Sequence, residues 1–171
     1  LALANRAIMH KWLALSALLV AADQITKYFA VQQLVLNQIV SVTPFFNLVL
    51  VYNAGAAFSF LSDAAGWQRG FFIGIALIAS AWIVYLLRRY PHQRRFSLAL
   101  SLVLAGAVGN VVDRMLHGAV IDFLDFHAYG YHWPAFNVAD SAISCGAALL
   151  IWDALRPRRK DKGGRMKEGS V

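Results

Sequence analysis

The sequence predicts a mainly α membrane protein, with four transmembrane helices and a small extracytoplasmic β element. Three observations carry this reading. Of 171 residues, 59% are apolar and 15% charged, against roughly 45–50% and 25% in soluble domains. The mean hydropathy of +0.54 asks for several spans rather than one anchor. Thirteen of the sixteen Lys and Arg residues then fall on one side of the apolar runs, which by the positive-inside rule places both termini in the cytoplasm.

The first span covers about 12–31 and is interrupted by Asp23 and Lys27. Arg6 and Lys11 before WLALSALLV, with Ala21 and Ala22 after it, imitate a removable signal peptide. A retained helix is the better expectation, because its loss would leave three spans and a basic C-terminal segment on the wrong side. Region 34–60 differs in kind: IVSVT, and FFNLVLVY after Pro44, are β-branched and aromatic, and predict a small sheet or hairpin at the outer membrane surface. A second span of about 69–88 follows from eighteen uncharged residues between Arg69 and Arg88, and a third of about 96–115 from seventeen between Arg95 and Asp113. The outward segment 116–133 reads as an interfacial loop, with Phe126, Tyr129, Tyr131 and Trp133 suited to the headgroup layer. The fourth span, about 134–154, starts near Pro134 and carries Asp140. Residues 1–157 therefore form one membrane domain, and 158–171 (RRKDKGGRMKEGSV) a disordered basic cytoplasmic tail.

The net charge of +7 is first a topology signal, so nucleic acid is not an expected partner. The single cysteine, Cys145, excludes an intramolecular disulfide or multi-cysteine metal site and reads as helix core. No glycine pattern indicates a nucleotide site.

Five acids lie in or near the outward third: Asp23, Asp113, Asp122, Asp125 and Asp140. An aspartate within a span costs on the order of 2.5–3.5 kcal/mol on insertion scales, which makes each a functional candidate. Gly106, Asn110 and Asp113 in the third span, and Asn137, Asp140, Ser141 and Ser144 in the fourth, recur at helical spacing and predict inward polar stripes. With a start near Pro134, Asp140 lies roughly 9 Å below the outer end of its helix. Asp122 can fold back to meet it, forming a pair of carboxylates that share a proton as aspartic hydrolases do. The competing reading is structural: Asp140 and Asn137 satisfy backbone groups at a helix start, and Asp122 is a solvated loop acid. Asp23 and Lys27 read as an i, i+4 ion pair with Lys27 snorkelling to the interface. Two weaker chemistries stay open, a metal held by His117, His127 and His132 with Asp122 and Asp125, and a Ser–Lys pair of Lys27 with Ser59 or Ser62. Asp63 reads as a turn residue.

The motifs ADQITK, YNAGAAFSF, GAVGNVVDRM with VIDF, and FNVADS resemble, in order over about 12–152, those of bacterial lipoprotein signal peptidases, the signal peptidase II family. The resemblance implies a four-helix aspartic endopeptidase of the bacterial inner membrane that cuts diacylglyceryl-modified prolipoproteins N-terminal to the lipidated cysteine. It implies Asp122 and Asp140 as catalytic residues, and Asp23, Lys27, Asn53, Gly55, Gly106, Asn110, Asp113, Arg114, Phe136, Asn137 and Ala139 as supporting or substrate-binding positions. It requires no cofactor or metal. The expected partners are lipidated prolipoproteins and membrane lipid, with the chain a monomer and its site near the outer face. Phe58, Phe60 and Trp133 are expected to receive the substrate's acyl chains. The alternatives are a small proton- or cation-coupled transporter, disfavoured by the absence of an internal repeat and by acids at one interface, or a non-catalytic assembly factor.

Overall fold

Helix α3 (Arg94–His117) is the axis of the molecule, and α1 (Ala2–Gln33), α2 (Trp67–Arg89) and α4 (Val138–Leu155) pack around it. The computed structural model describes residues 2–55 and 66–156. The expectations placed on Phe58, Ser59, Phe60, Ser62, Asp63 and the 158–171 tail lie outside the described residues. All four helices are long and apolar enough to cross a membrane. The α2–α3 connection turns at Pro91, which cannot continue a helix, and the Trp12 indole N–H donates to the Pro91 carbonyl at 3.0 Å, tying α1 to this basic end. At the other end, α3 stops at Gly118, whose φ of 80° needs no Cβ, and whose N–H donates to the Arg114 carbonyl at 3.2 Å. Helix α4 begins at Val138 rather than near Pro134. The reason is local: Asn137 is extended and caps the helix through its side chain, and the residues before it pair with a strand.

Burial is concentrated on α3, while α1, α2 and α4 turn large side chains such as Leu18, Phe29, Ile78, Trp82 and Ile151 outward, where a bilayer would meet them. Ile83, Leu87, Leu100 and Leu104 form an apolar core toward the basic end. Toward the other end the helices approach through small residues. A Cβ on Gly106 would collide with the Ala139 carbonyl, and one on Gly109 would lie 2.7 Å from an Asp23 carboxylate oxygen. The predicted stripe on α3 is buried in full at Gly106, Asn110 and Asp113. That on α4 is corrected: its buried face is Ala139, Ala142 and Gly146, while Ser144 and Cys145 are exposed. In lipid the small residues, not the apolar ones, mark the protein-facing side, so Cys145 is a lipid-facing residue and not core.

The hairpin expected within 34–60 is present as β1 (Val40–Thr43) and β2 (Phe46–Asn53). The segment expected as an interfacial loop instead supplies β3 (Val120–Ala128) and β4 (Tyr131–His132), giving one antiparallel sheet in the order β1-β2-β3-β4. Its centre is the β2–β3 pair, with Val51 opposite Asp122 and an irregularity between Leu48 and Val51 that shifts the register. Asp122 is thus a strand residue, 2% exposed, and not a solvated loop acid.

Candidate active site

Strand β3 leaves the Gly118 turn and lies across the end of α3, where the Ile121 N–H donates to Asp113 Oδ2 at 3.1 Å. Phe136 docks the approach to α4 onto this strand: its N–H donates to the Leu124 carbonyl at 3.0 Å, and its carbonyl accepts from the N–H groups of Phe123 and Leu124 at 3.1 and 2.9 Å. Asn137 is thereby fixed between strand and helix. Its amide donates to Asp122 Oδ1 at 2.7 Å and to the Ile121 carbonyl at 3.2 Å, while its Oδ1 accepts from the Asp140 N–H at 2.9 Å. The second oxygen of Asp122 accepts from Asn53 on β2 at 3.1 Å, and Asn53 Oδ1 in turn accepts from the Gly55 N–H at 3.0 Å. Asp140 Oδ1 accepts from Asn110 at 2.8 Å, and Oδ2 from the Asn137 N–H at 3.3 Å, completing a capping box. Asparagine amides therefore orient each carboxylate, and Asn137 touches both. The two structural duties expected of Asn137 and Asp140 are real, and they hold the acids next to each other.

Behind this pair lies a buried ionic cluster. Lys27 Nζ is 2.8 Å from Asp23, 2.7 Å from Asp113 and 3.1 Å from Asn110 Oδ1. The i, i+4 pair is present, but the snorkelling expected of Lys27 is not: the residue is 1% exposed. Two carboxylates hold the ammonium inside, where one would leave it free to reach water. Asp23 also accepts from the Ala139 N–H at 2.8 Å, so a carboxylate from α1 satisfies the first turn of α4. Sequence reasoning passed over Gln24, whose amide donates to Asp113 at 2.9 Å and Asp23 at 3.2 Å. Its signal was a further polar residue inside an apolar span, one position from Asp23. Arg114 donates to the Gly55 carbonyl at 2.9 Å and lies 5.1 Å over the Phe72 ring.

The remaining acid stands apart. Asp125, toward the far end of β3, accepts from Asn47 at 2.8 Å and pairs with His132 at 2.9 Å. The histidines are likewise divided, since His127 stacks on His132 while His117 packs against Tyr52. Among the described residues, no three such side chains converge on a metal position.

The protonation of Asp122 distinguishes it. Burial, and then the charge of Asp140, push its carboxyl up to about 7, against the opposing pull of the Asn53 and Asn137 amides and of Lys27. A carboxylic acid that keeps its proton near neutrality can donate as well as accept.

Four apolar helices capped by a sheet over buried carboxylates define a multi-pass membrane protein with an enzyme-like site. Residues 15–156 match the family described as signal peptidase (SPase) II, and the chain belongs to that family; it is a peptidase. It is 59% identical over 149 residues to a lipoprotein signal peptidase of Cupriavidus taiwanensis, covering 87% of this chain and 85% of the relative. A lipoprotein signal peptidase of Burkholderia mallei is 54% identical over 145 residues, 85% of this chain and 87% of its own. A solved bacterial membrane enzyme superposes with a TM-score of 0.81 at 32% identity, covering 91% of this chain and 95% of that one. The relatives give no support to the transporter alternative.

Proposed function

We propose that the chain is an aspartic endopeptidase that releases the signal peptide of a diacylglyceryl-modified prolipoprotein, cutting N-terminal to the lipidated cysteine, with Asp122 and Asp140 as the catalytic pair. The observation that carries the proposal is the juxtaposition, through Asn137, of buried Asp122 with half-buried Asp140, the first of them protonated up to about pH 7. The family and the names of the relatives support the substrate class.

In the working state the pair holds one proton. The ionised member takes a proton from a water placed between the carboxylates, and the resulting hydroxide attacks the scissile carbonyl. The protonated member donates to the developing oxyanion, and a proton then passes to the leaving amine as the peptide bond breaks. Asn53, Asn110 and Asn137 orient the two acids. Lys27 holds Asn110 by its oxygen, so that the Asn110 amide points at Asp140. No step uses a metal, and activity is expected to survive a chelator.

The same reading places the chain in the bacterial cytoplasmic membrane as a monomer, with both termini cytoplasmic and the sheet outside. Substrate then reaches the site sideways from the outer leaflet, its acyl chains acting as an address. Incubating purified protein with diacylated prolipoprotein and measuring signal-peptide release by mass spectrometry tests the activity. Release from the lipidated precursor is expected, and equal cleavage of an unlipidated one would contradict the addressing role.

A further inference from the structure

A groove of about 550 Å³ opens between α1, α2 and α3, running from the basic end toward the buried ionic cluster. Leu13, Ala17 and Val20 of α1, Val84 of α2 and Leu104 of α3 line it, and Arg88 stands at its mouth at the basic end. From Leu13 to Val20 the groove runs roughly 10 Å along α1 at about 1.5 Å per residue. Its walls are apolar, and alanine and serine side chains keep it open.

Arg88 is exposed and has no ion-pair partner among the described residues. Lys11 and Arg94 line a smaller groove at the same end, and Arg89 and Arg95 flank the α2–α3 turn. The site thus presents an acyl-sized apolar slot that ends in positive charge at the membrane boundary. We propose that it binds an anionic phospholipid of the leaflet at the basic end, with one acyl chain in the groove and the phosphate on Arg88. The charge selects this occupant over the most obvious competitor. A signal peptide lying in the groove would bring its own basic N-terminal region to Arg88, like charge against like. No residue that lines the groove is a member of the hydrogen-bonded carboxylate network, so the inference does not rest on the catalytic assignment.

The test is native mass spectrometry of the full chain given equal amounts of phosphatidylglycerol and phosphatidylcholine with identical acyl chains. Retention of phosphatidylglycerol over phosphatidylcholine is expected. Arg88→Gln should reduce that preference about fivefold, the worth of one basic residue at an anionic surface. Ala17→Leu should fill the slot and displace lipid without changing the charge. Thermal midpoints and prolipoprotein cleavage, read in parallel, show that both variants are folded and active. Equal retention of the two lipids, an unchanged preference in Arg88→Gln, or undiminished lipid retention in Ala17→Leu would overturn the proposal. So would a photo-reactive residue at position 17 that captures signal peptide and not lipid.

Discussion

The two ends of the helix bundle are built on opposite principles. At the basic end Ile83, Leu87, Leu100 and Leu104 meet as apolar side chains. At the sheet end the same helices bury Asp23, Lys27, Asn110 and Asp113, joined by Asp122 and Asn137 from outside the spans. Lipid is as apolar as leucine, so the basic end gains little from leaving its surroundings and is held by dispersion and fit. The sheet end is held by hydrogen bonds whose alternative, unpaired charge in hydrocarbon, is far worse. A fold that needed only stability would use the first design at both ends. The second is found where the two carboxylates proposed as catalytic are held next to each other through Asn137.

The comparison breaks most severely at the proposed catalytic pair. Asp122→Asn and Asp140→Asn preserve shape and one of the two side-chain hydrogen bonds that each acid accepts but cannot move a proton, so each is expected to lower cleavage by about 10²–10⁴-fold or more in a quantitative release assay. Stability should move the other way for Asp122→Asn. The folded carboxyl keeps its proton to about 7 where the ordinary value is 3.8. The folded state therefore binds more protons between these values, and wild-type stability falls as pH rises through that window. The asparagine variant removes this loss, and its thermal midpoint should exceed that of wild type above pH 7.

Lys27→Met tests the ionic cluster itself. It leaves Asp23 and Asp113 buried without their cation, and the expected cost is about 3–5 kcal/mol, seen as loss of folded protein in detergent. At the basic end, Leu87→Ala deletes a fully buried side chain. Its expected cost is about 2 kcal/mol, at the low end for cavity formation, because lipid lowers the transfer contribution. The folded fraction should cleave at the wild-type rate. Smallest is Asp125→Asn, which weakens the contacts with Asn47 and His132 at the far end of β3 by about 1 kcal/mol and should leave the cleavage rate unaltered.

The spans were legible because uncharged runs between arginines have little other explanation, and FNVADS carried both a helix cap and an acid. Three features were not legible, each for a physical reason. VIDFLDFHA pairs with β2, a partner some seventy positions earlier, and its two acids disguise a strand as a loop. Lys27 was expected to reach the interface because its second counterion, Asp113, arrives from another helix. Polar spacing points Ser144 inward and an apolar neighbourhood does the same for Cys145, but close helix contact selects the smallest residues, and α4 turns Ala139, Ala142 and Gly146 inward. Asp140 stood out through its cost within a span, and Asp122 through the likeness of VIDF to the family's motif. That Asn137 would link them follows only from the strand that Phe136 docks against.

The shared proton is tested most directly by the pH dependence of kcat/KM for diacylated prolipoprotein, measured on wild type from pH 4 to 10. In the proposed mechanism only the singly protonated pair is competent, so the rate is expected to rise with pH as the first proton leaves. It should then fall as pH passes through about 7 and the second leaves Asp122, the two apparent pKa values belonging to the pair. A rate that climbs to a plateau and holds it through pH 9 would contradict a protonated aspartate as the donor.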